Sequence, residues 1–217
     1  MSDANPQKVL KALSEGKPLT IKTYTFLPKS QLYIDKMLEI FLEGLGISFV
    51  MEQISYCVKE MAVNAKKANT KRLYFAGKGL NPHDERDYAV GMKDFKAEML
   101  QKQAYYLKRL KEENLYVKVE LLHRRGLVSV AVRNNVPLLP AEETRIREKI
   151  AKAYSYNTLE DAFSEMLDES EGAGLGILVL VLMLKKLGFA GDFFQVYTLN
   201  DETIARLILP LSVDIAI

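Results

Sequence analysis

The 217-residue chain is long enough for one globular core, and its 48% apolar and 27% charged residues are those of an ordinary globular domain rather than a disordered or fibrous one. Thirty basic residues against 28 acidic ones leave a formal charge of +2, which gives no electrostatic reason to expect a nucleic-acid or membrane surface. Met1 to Gln7 carries no apolar signal region and the longest apolar run, Ile177 to Leu184, falls short of the roughly 20 residues that cross a bilayer, so a cytoplasmic protein is expected.

Residues 1–17 are polar and read as a loosely ordered leader before a single domain over 18–217. Thr20 to Leu27 alternates and carries β-branched and aromatic residues, which predicts a strand closed by Pro28. Ser30 is placed to cap a helix running to about Leu45, and Gly44 and Gly46 to stop it. Ser48 then caps a second helix in which Val50, Ile54, Val58, Met61, Ala65 and Ala68 form a buried stripe, with Glu60, Asn64 and Lys67 as a polar stripe beside it. Cys57 lies within that helix, where packing is its expected role; a lone cysteine excludes an intramolecular disulfide.

Arg72 to Phe75 reads as a short strand, followed by the turn-rich Gly77 to Pro82 and a charged helix from about Lys93 to Asn114. Tyr116 to Leu122 and Leu127 to Val132, joined by Arg124-Arg125-Gly126, predict a hairpin that Asn134-Asn135-Val136-Pro137 breaks. Two short helices are expected at 141–154 and 159–167, a glycine-flanked helix over Ile177 to Leu184, and a closing hairpin from Asp192 to Leu199 and Ile204 to Leu209. The sum is an α+β fold: a two-layer α/β sandwich whose mixed, mainly antiparallel sheet is covered on one face by helices.

Two stretches carry candidate chemistry. Glu60 and Asn64 lie one helical turn apart on the rim of the buried stripe; an amide oxygen there can coordinate magnesium, and a neighbouring carboxylate can deprotonate a water. Lys67, a further turn along, is placed to meet phosphate charge. The second stretch, Gly172-Ala173-Gly174-Leu175-Gly176, runs into the apolar helix, and a glycine-rich helix start suits a phosphate. A dinucleotide fingerprint should follow a strand, whereas Asp168-Glu169-Ser170-Glu171 precedes this loop, and a Walker loop needs Lys-Ser or Lys-Thr where Ile177 stands. His83 sits in the turn-rich segment and His123 at the hairpin turn, too isolated from each other for a zinc site.

Taken together, these stretches resemble the GHKL superfamily of histidine kinase-like ATP-binding domains. Glu60, Asn64, Ala65 and Lys67 look like its N box, which implies Glu60 as the catalytic base, Asn64 as the magnesium ligand and Lys67 as a nucleotide contact. Gly172, Gly174, Leu175 and Gly176 look like its second glycine box, which implies an ATP lid. Asn134 stands where the family has an aspartate that reads adenine, and Val136 and Leu138 replace two glycines, which predicts weakened adenine affinity. The resemblance covers roughly residues 18–211, with the helical segment at about 77–114 as an insertion, and its layout is most similar to the anti-sigma-factor serine kinases. It implies the Bergerat-type fold, ATP and magnesium as cofactors, and a regulatory partner of sigma-factor, anti-anti-sigma-factor or response-regulator type; it admits a homodimer. A non-catalytic interaction module of the same fold is the alternative, and a sensor-kinase catalytic domain serving a separate histidine-bearing chain is a third.

Overall fold

The computed structural model describes residues 5–156, 158, 160, 175–189 and 193–211. Its strands are β1 (Leu19–Thr23), β2 (Val117–Arg124), β3 (Leu127–Asn134), β4 (Phe194–Leu199) and β5 (Glu202–Pro210), in the sheet order β1-β2-β3-β5-β4. Every neighbouring pair is antiparallel, so one side of the sheet can face solvent, and the chain crosses over once, from β3 past the position of β5 to the edge strand β4. Val117, Val119 and Leu121 of β2 alternate onto the inner face with Val128, Val130 and Val132 of β3. Both hairpin loops have two residues with positive φ, Arg125 (53°) and Gly126 (72°) in one, Asn200 (51°) and Asp201 (60°) in the other. That is the type I′ geometry whose twist matches the strands it joins.

The helices are α1 (Pro6–Ser14), α2 (Pro28–Gly44), α3 (Met51–Lys78, after a 3₁₀ turn over Ser48–Val50), α4 (Glu85–Gln101), α5 (Gln103–Glu112), α6 (Pro140–Ser155) and α7 (Leu175–Lys186). Leu38 and Phe41 of α2, Ile54, Val58 and Met61 of α3, and Leu180 and Val181 of α7 join the inner sheet face in one apolar core. The α+β two-layer sandwich expected from the sequence is the observed architecture, with an antiparallel rather than mixed sheet. Among the described residues no helix is long and apolar enough to cross a membrane.

Several element boundaries differ from the sequence reading. The residues Arg72 to Phe75 are the last turns of α3, not a strand; Tyr74 and Phe75 pack with Tyr88, Phe95, Tyr106 and Leu139 in a second apolar cluster. Burial of such rings stabilises by roughly 2–3 kcal/mol each, enough to override their strand preference. Gly79, with φ 67°, then ends the helix. The charged helix expected over Lys93 to Asn114 is two helices that part at Lys102, and the first begins at Glu85, where the Asp84 carboxylate accepts from the N–H groups of Arg86 and Asp87. Gly91 permits this insertion to dock, since a Cβ there would meet the Phe75 ring at 2.6 Å.

Residues Pro6–Ser14, expected within a loosely ordered leader, form α1, capped by the Asn5 side chain and anchored by the buried Val9. The first strand stops at Thr23, and Pro28 begins α2 rather than merely ending a strand, leaving Ser30 inside the helix with its hydroxyl 3.3 Å from that of Thr23. The short helix expected at 159–167 falls almost wholly outside the described residues.

Candidate functional site

α3 is the organising element: it lies against β2 and β3 and also touches α4, α5 and α7. At 3.6 residues per turn, Glu60, Asn64, Lys67 and Lys71 fall on one stripe about 16 Å long. Their surroundings change along it. Glu60 is half-buried, Asn64 is exposed, Lys67 is half-buried and Lys71 is buried.

At the first end, α7 lies directly over Glu60. A Cβ built on Gly176 would stand 2.1 Å from Glu60 Oε2, so the carboxylate rests on bare backbone that only glycine provides. Glu60 and Gly176 are 116 residues apart in sequence, and the fold brings them together. Leu175 lies in the same turn of α7, while Gly172 and Gly174 lie outside the described residues. Tyr56, one turn before Glu60, has its phenol pushed up by burial and then by the Glu60 charge, which makes it a neighbour that sequence reasoning missed. Cys57 is an inert thiol: burial pushes it up to about 12.

At the other end the chain satisfies itself. Glu142, in the first turn of α6, receives Lys71 Nζ at 2.6 Å on one carboxylate oxygen and Arg72 at 2.8 Å on the other, and also accepts from the N–H of Leu139. Burial alone would raise its carboxyl, but the hydrogen bond from Arg72 and the charges of Lys71 and Arg72 hold it at about 2. The Tyr88 hydroxyl accepts from Lys71 at 3.2 Å and from Arg145. Lys67 is held below the usual lysine range by burial and then by the charges of Lys71, Lys149, Lys96 and Arg145.

Asn134 is not part of this stripe. It ends β3 at 2% exposure, and its Nδ2 donates to Asn69 Oδ1 at 3.1 Å and to the Val136 carbonyl at 3.4 Å. Asn69, fully buried on α3, in turn donates to the Tyr116 carbonyl at 3.0 Å. Thr203, opposite Asn134 on β5, donates both its hydroxyl and its N–H to Val136. Asn134 is thereby tied into the β3–α3–β5 junction, and Val136 is buried beside it.

The chain is 40% identical over 209 residues to an uncharacterized protein of Treponema pallidum (strain Nichols). That match takes in 96% of this chain and 41% of the relative, so the chain spans about two fifths of the length of the protein it matches. No family model and no solved structure matches.

The groups that the resemblance implies fit the described residues unevenly. No three His, Cys, Asp or Glu side chains cluster among the described residues, so a magnesium ion there would rest on Asn64 and on phosphate and water oxygens, a donor set that suits magnesium. The exposed Asn64 amide, the Glu60 carboxylate and the Gly176 backbone leave such a phosphate end accessible. The adenine end does not fit as folded, because Asn134 is buried and its amide nitrogen is engaged. A cavity of about 400 Å³ between α6 and β4, lined by Leu138, Ile146, Ile150 and Val196, and another of about 290 Å³ on the open sheet face, beside Arg124, Arg125 and Arg206, lie away from Glu60 and Asn64.

Proposed function

We propose that the chain is a magnesium-nucleotide-binding regulatory domain of the histidine kinase-like ATPase class, acting in the cytoplasm as a serine kinase and anti-sigma-type regulator on a protein partner. The observation that carries this reading is the seat of Gly176 on the Glu60 carboxylate, one turn from an exposed Asn64. When bound, magnesium supplies charge neutralisation at the terminal phosphate. Asn64 offers its amide oxygen as the metal's protein ligand. Glu60 takes the proton of an attacking water or serine hydroxyl on a carboxylate oxygen, and the backbone of Gly176 positions that carboxylate. Lys67 holds phosphate oxygen by charge from the next turn.

Asn134 supports a second reading, an interaction module of the same fold with impaired nucleotide binding. Its burial and its bonds to Asn69 and Val136 remove the adenine contact while leaving the fold intact. The partner surface is then the charged α4–α5 insertion.

The two readings part on Glu60→Gln assayed with radiolabelled ATP and magnesium. The kinase reading expects phosphate release or acid-stable phosphoserine on a partner from the native chain, and a loss of about 100-fold or more in the variant. Equal activity in the two proteins overturns Glu60 as the base, and label on histidine instead of serine supports the sensor-kinase alternative.

A further inference from the structure

The solvent face of the sheet divides into two halves of different electrostatics. Toward the Tyr116 end the charges close on one another: Arg133 pairs with Glu120 at 3.0 Å and with Glu202 at 3.7 Å, and Lys118 reaches Glu202 at 3.5 Å. Toward the turn between β2 and β3 stand Arg124, Arg125 and Arg206, and no carboxylate of a described residue pairs with any of them. Arg206 donates only from Nε, to Ser129 Oγ at 3.1 Å, and the side chains of Arg124 and Arg125 make no hydrogen bond or ion pair with a described residue.

The antiparallel register sets the spacing of this half. Leu122, Ser129 and Ile208 are cross-strand neighbours in one row over β2, β3 and β5. Arg124 lies two residues beyond that row along β2, and Arg206 two residues before it along β5. Side chains two apart on a strand share a face at a spacing of about 7 Å, so the apolar row lies between two rows that carry guanidinium groups. The same residues, with Leu127, line one open cavity of about 290 Å³. A guanidinium fork matches a carboxylate with two parallel hydrogen bonds, and the apolar row between the forks gains by covering an apolar side chain.

We infer that this end of the sheet is a docking surface for an acidic peptide segment of a protein partner, with an apolar side chain seated on Leu122 and Ile208 and carboxylates on either side of it at Arg206 and at Arg124 and Arg125. An extended segment with acid, apolar and acid at alternate positions repeats the spacing of about 7 Å. A second copy of the chain does not supply this chemistry. A twofold contact sets the face against itself, and its strand carboxylates, Glu120 and Glu202, are already paired. A small anion meets one guanidinium row and leaves the apolar row uncovered. The surface lies on the side of the sheet opposite α3 and shares no residue with the Glu60–Asn64–Lys67 stripe, so it is independent of the nucleotide reading.

The test titrates the full chain at low salt with the peptide acetyl-Gly-Glu-Thr-Leu-Thr-Glu-Gly-amide, followed by calorimetry. Saturable binding is expected, weakened about tenfold or more by Arg206→Gln, by Arg124→Gln and by glutamine in place of both peptide glutamates, while Asn64→Ala leaves it unchanged. Arg124 is exposed, so Arg124→Gln keeps the test open if Arg206→Gln, which also loses the bond to Ser129, disturbs the sheet. No saturable binding at millimolar peptide, equal binding of the glutamine peptide, or equal affinity in the native chain and both arginine variants overturns the surface. Sedimentation of the chain with phosphatidylglycerol vesicles, in place of peptide binding, assigns the arginines to lipid and overturns the peptide.

Discussion

The two ends of the polar stripe on α3 use their charges in opposite ways. Near Lys71 the partners come from the chain itself, because Glu142 takes both Lys71 and Arg72 and a backbone N–H as well. Near Glu60 the partner is bare backbone at Gly176, and the neighbouring Asn64 faces solvent. A polar residue whose hydrogen bonds close within the fold acts as structure, and one that the fold approaches without bonding remains available for a ligand. Asn134 belongs with the first kind, although its place in sequence assigns it to the second.

The largest effect is expected from breaking the closed end. Glu142→Gln removes the charge that compensates Lys71 and Arg72, and should cost about 3 kcal/mol, or roughly 6–12 °C in thermal midpoint. Calorimetric unfolding at neutral pH measures it. The folded Glu142 carboxyl is depressed to about 2, below the unfolded value of about 4.5. Its contribution is therefore fully present above pH about 4.5 and fades as pH falls toward 2. The gap between native and variant should narrow over that window and stay constant above it.

A smaller loss, about 1–3 kcal/mol, is expected for Asn134→Ala, which leaves the buried Asn69 oxygen without its donor. Chemical denaturation reports it through a lower midpoint. If Asn134→Ala is neutral, Asn134 is not a structural tie and the adenine contact becomes tenable again. Least of all for stability is Gly176→Ala. The new methyl meets only the flexible end of Glu60, which can swing away, so the fold should change by less than about 1 kcal/mol. The displaced carboxylate should nevertheless lower any magnesium-dependent phosphate release, so a split between stability and activity in this variant sharpens the contrast between the two ends.

Much of the fold was legible because its signals are local. Alternating valines from Val117 to Val132 and the glycine after Arg125 specify a hairpin without help from the rest of the chain. Two helix starts also carry local signals: Asn5 capping α1 with Pro6 in its first turn, and Asp84 capping α4 with Asp87 in its first turn. Tyr74 and Phe75 read as strand because aromatic residues favour strands, and the apolar surface that keeps them helical comes from other elements, Tyr88 and Phe95 of α4, Tyr106 of α5 and Leu139. Of the site, the spacing of Glu60, Asn64 and Lys67 on one stripe could be read directly, since helical geometry alone dictates it. The closure of Asn134 onto Asn69 and the arrival of Glu142 at Lys71 are long-range contacts with no periodic trace in the sequence.

The most direct test of the open end is a calorimetric titration of the native chain and Asn64→Ala with a non-hydrolysable ATP analogue, with and without magnesium and with GTP as a control. Asn64 is exposed, so the substitution should leave the thermal midpoint in place and affect only the ligand. The account predicts magnesium-dependent binding of the ATP analogue by the native chain and its loss in the variant. Absence of binding at millimolar nucleotide, or equal affinity in the two proteins, would contradict it.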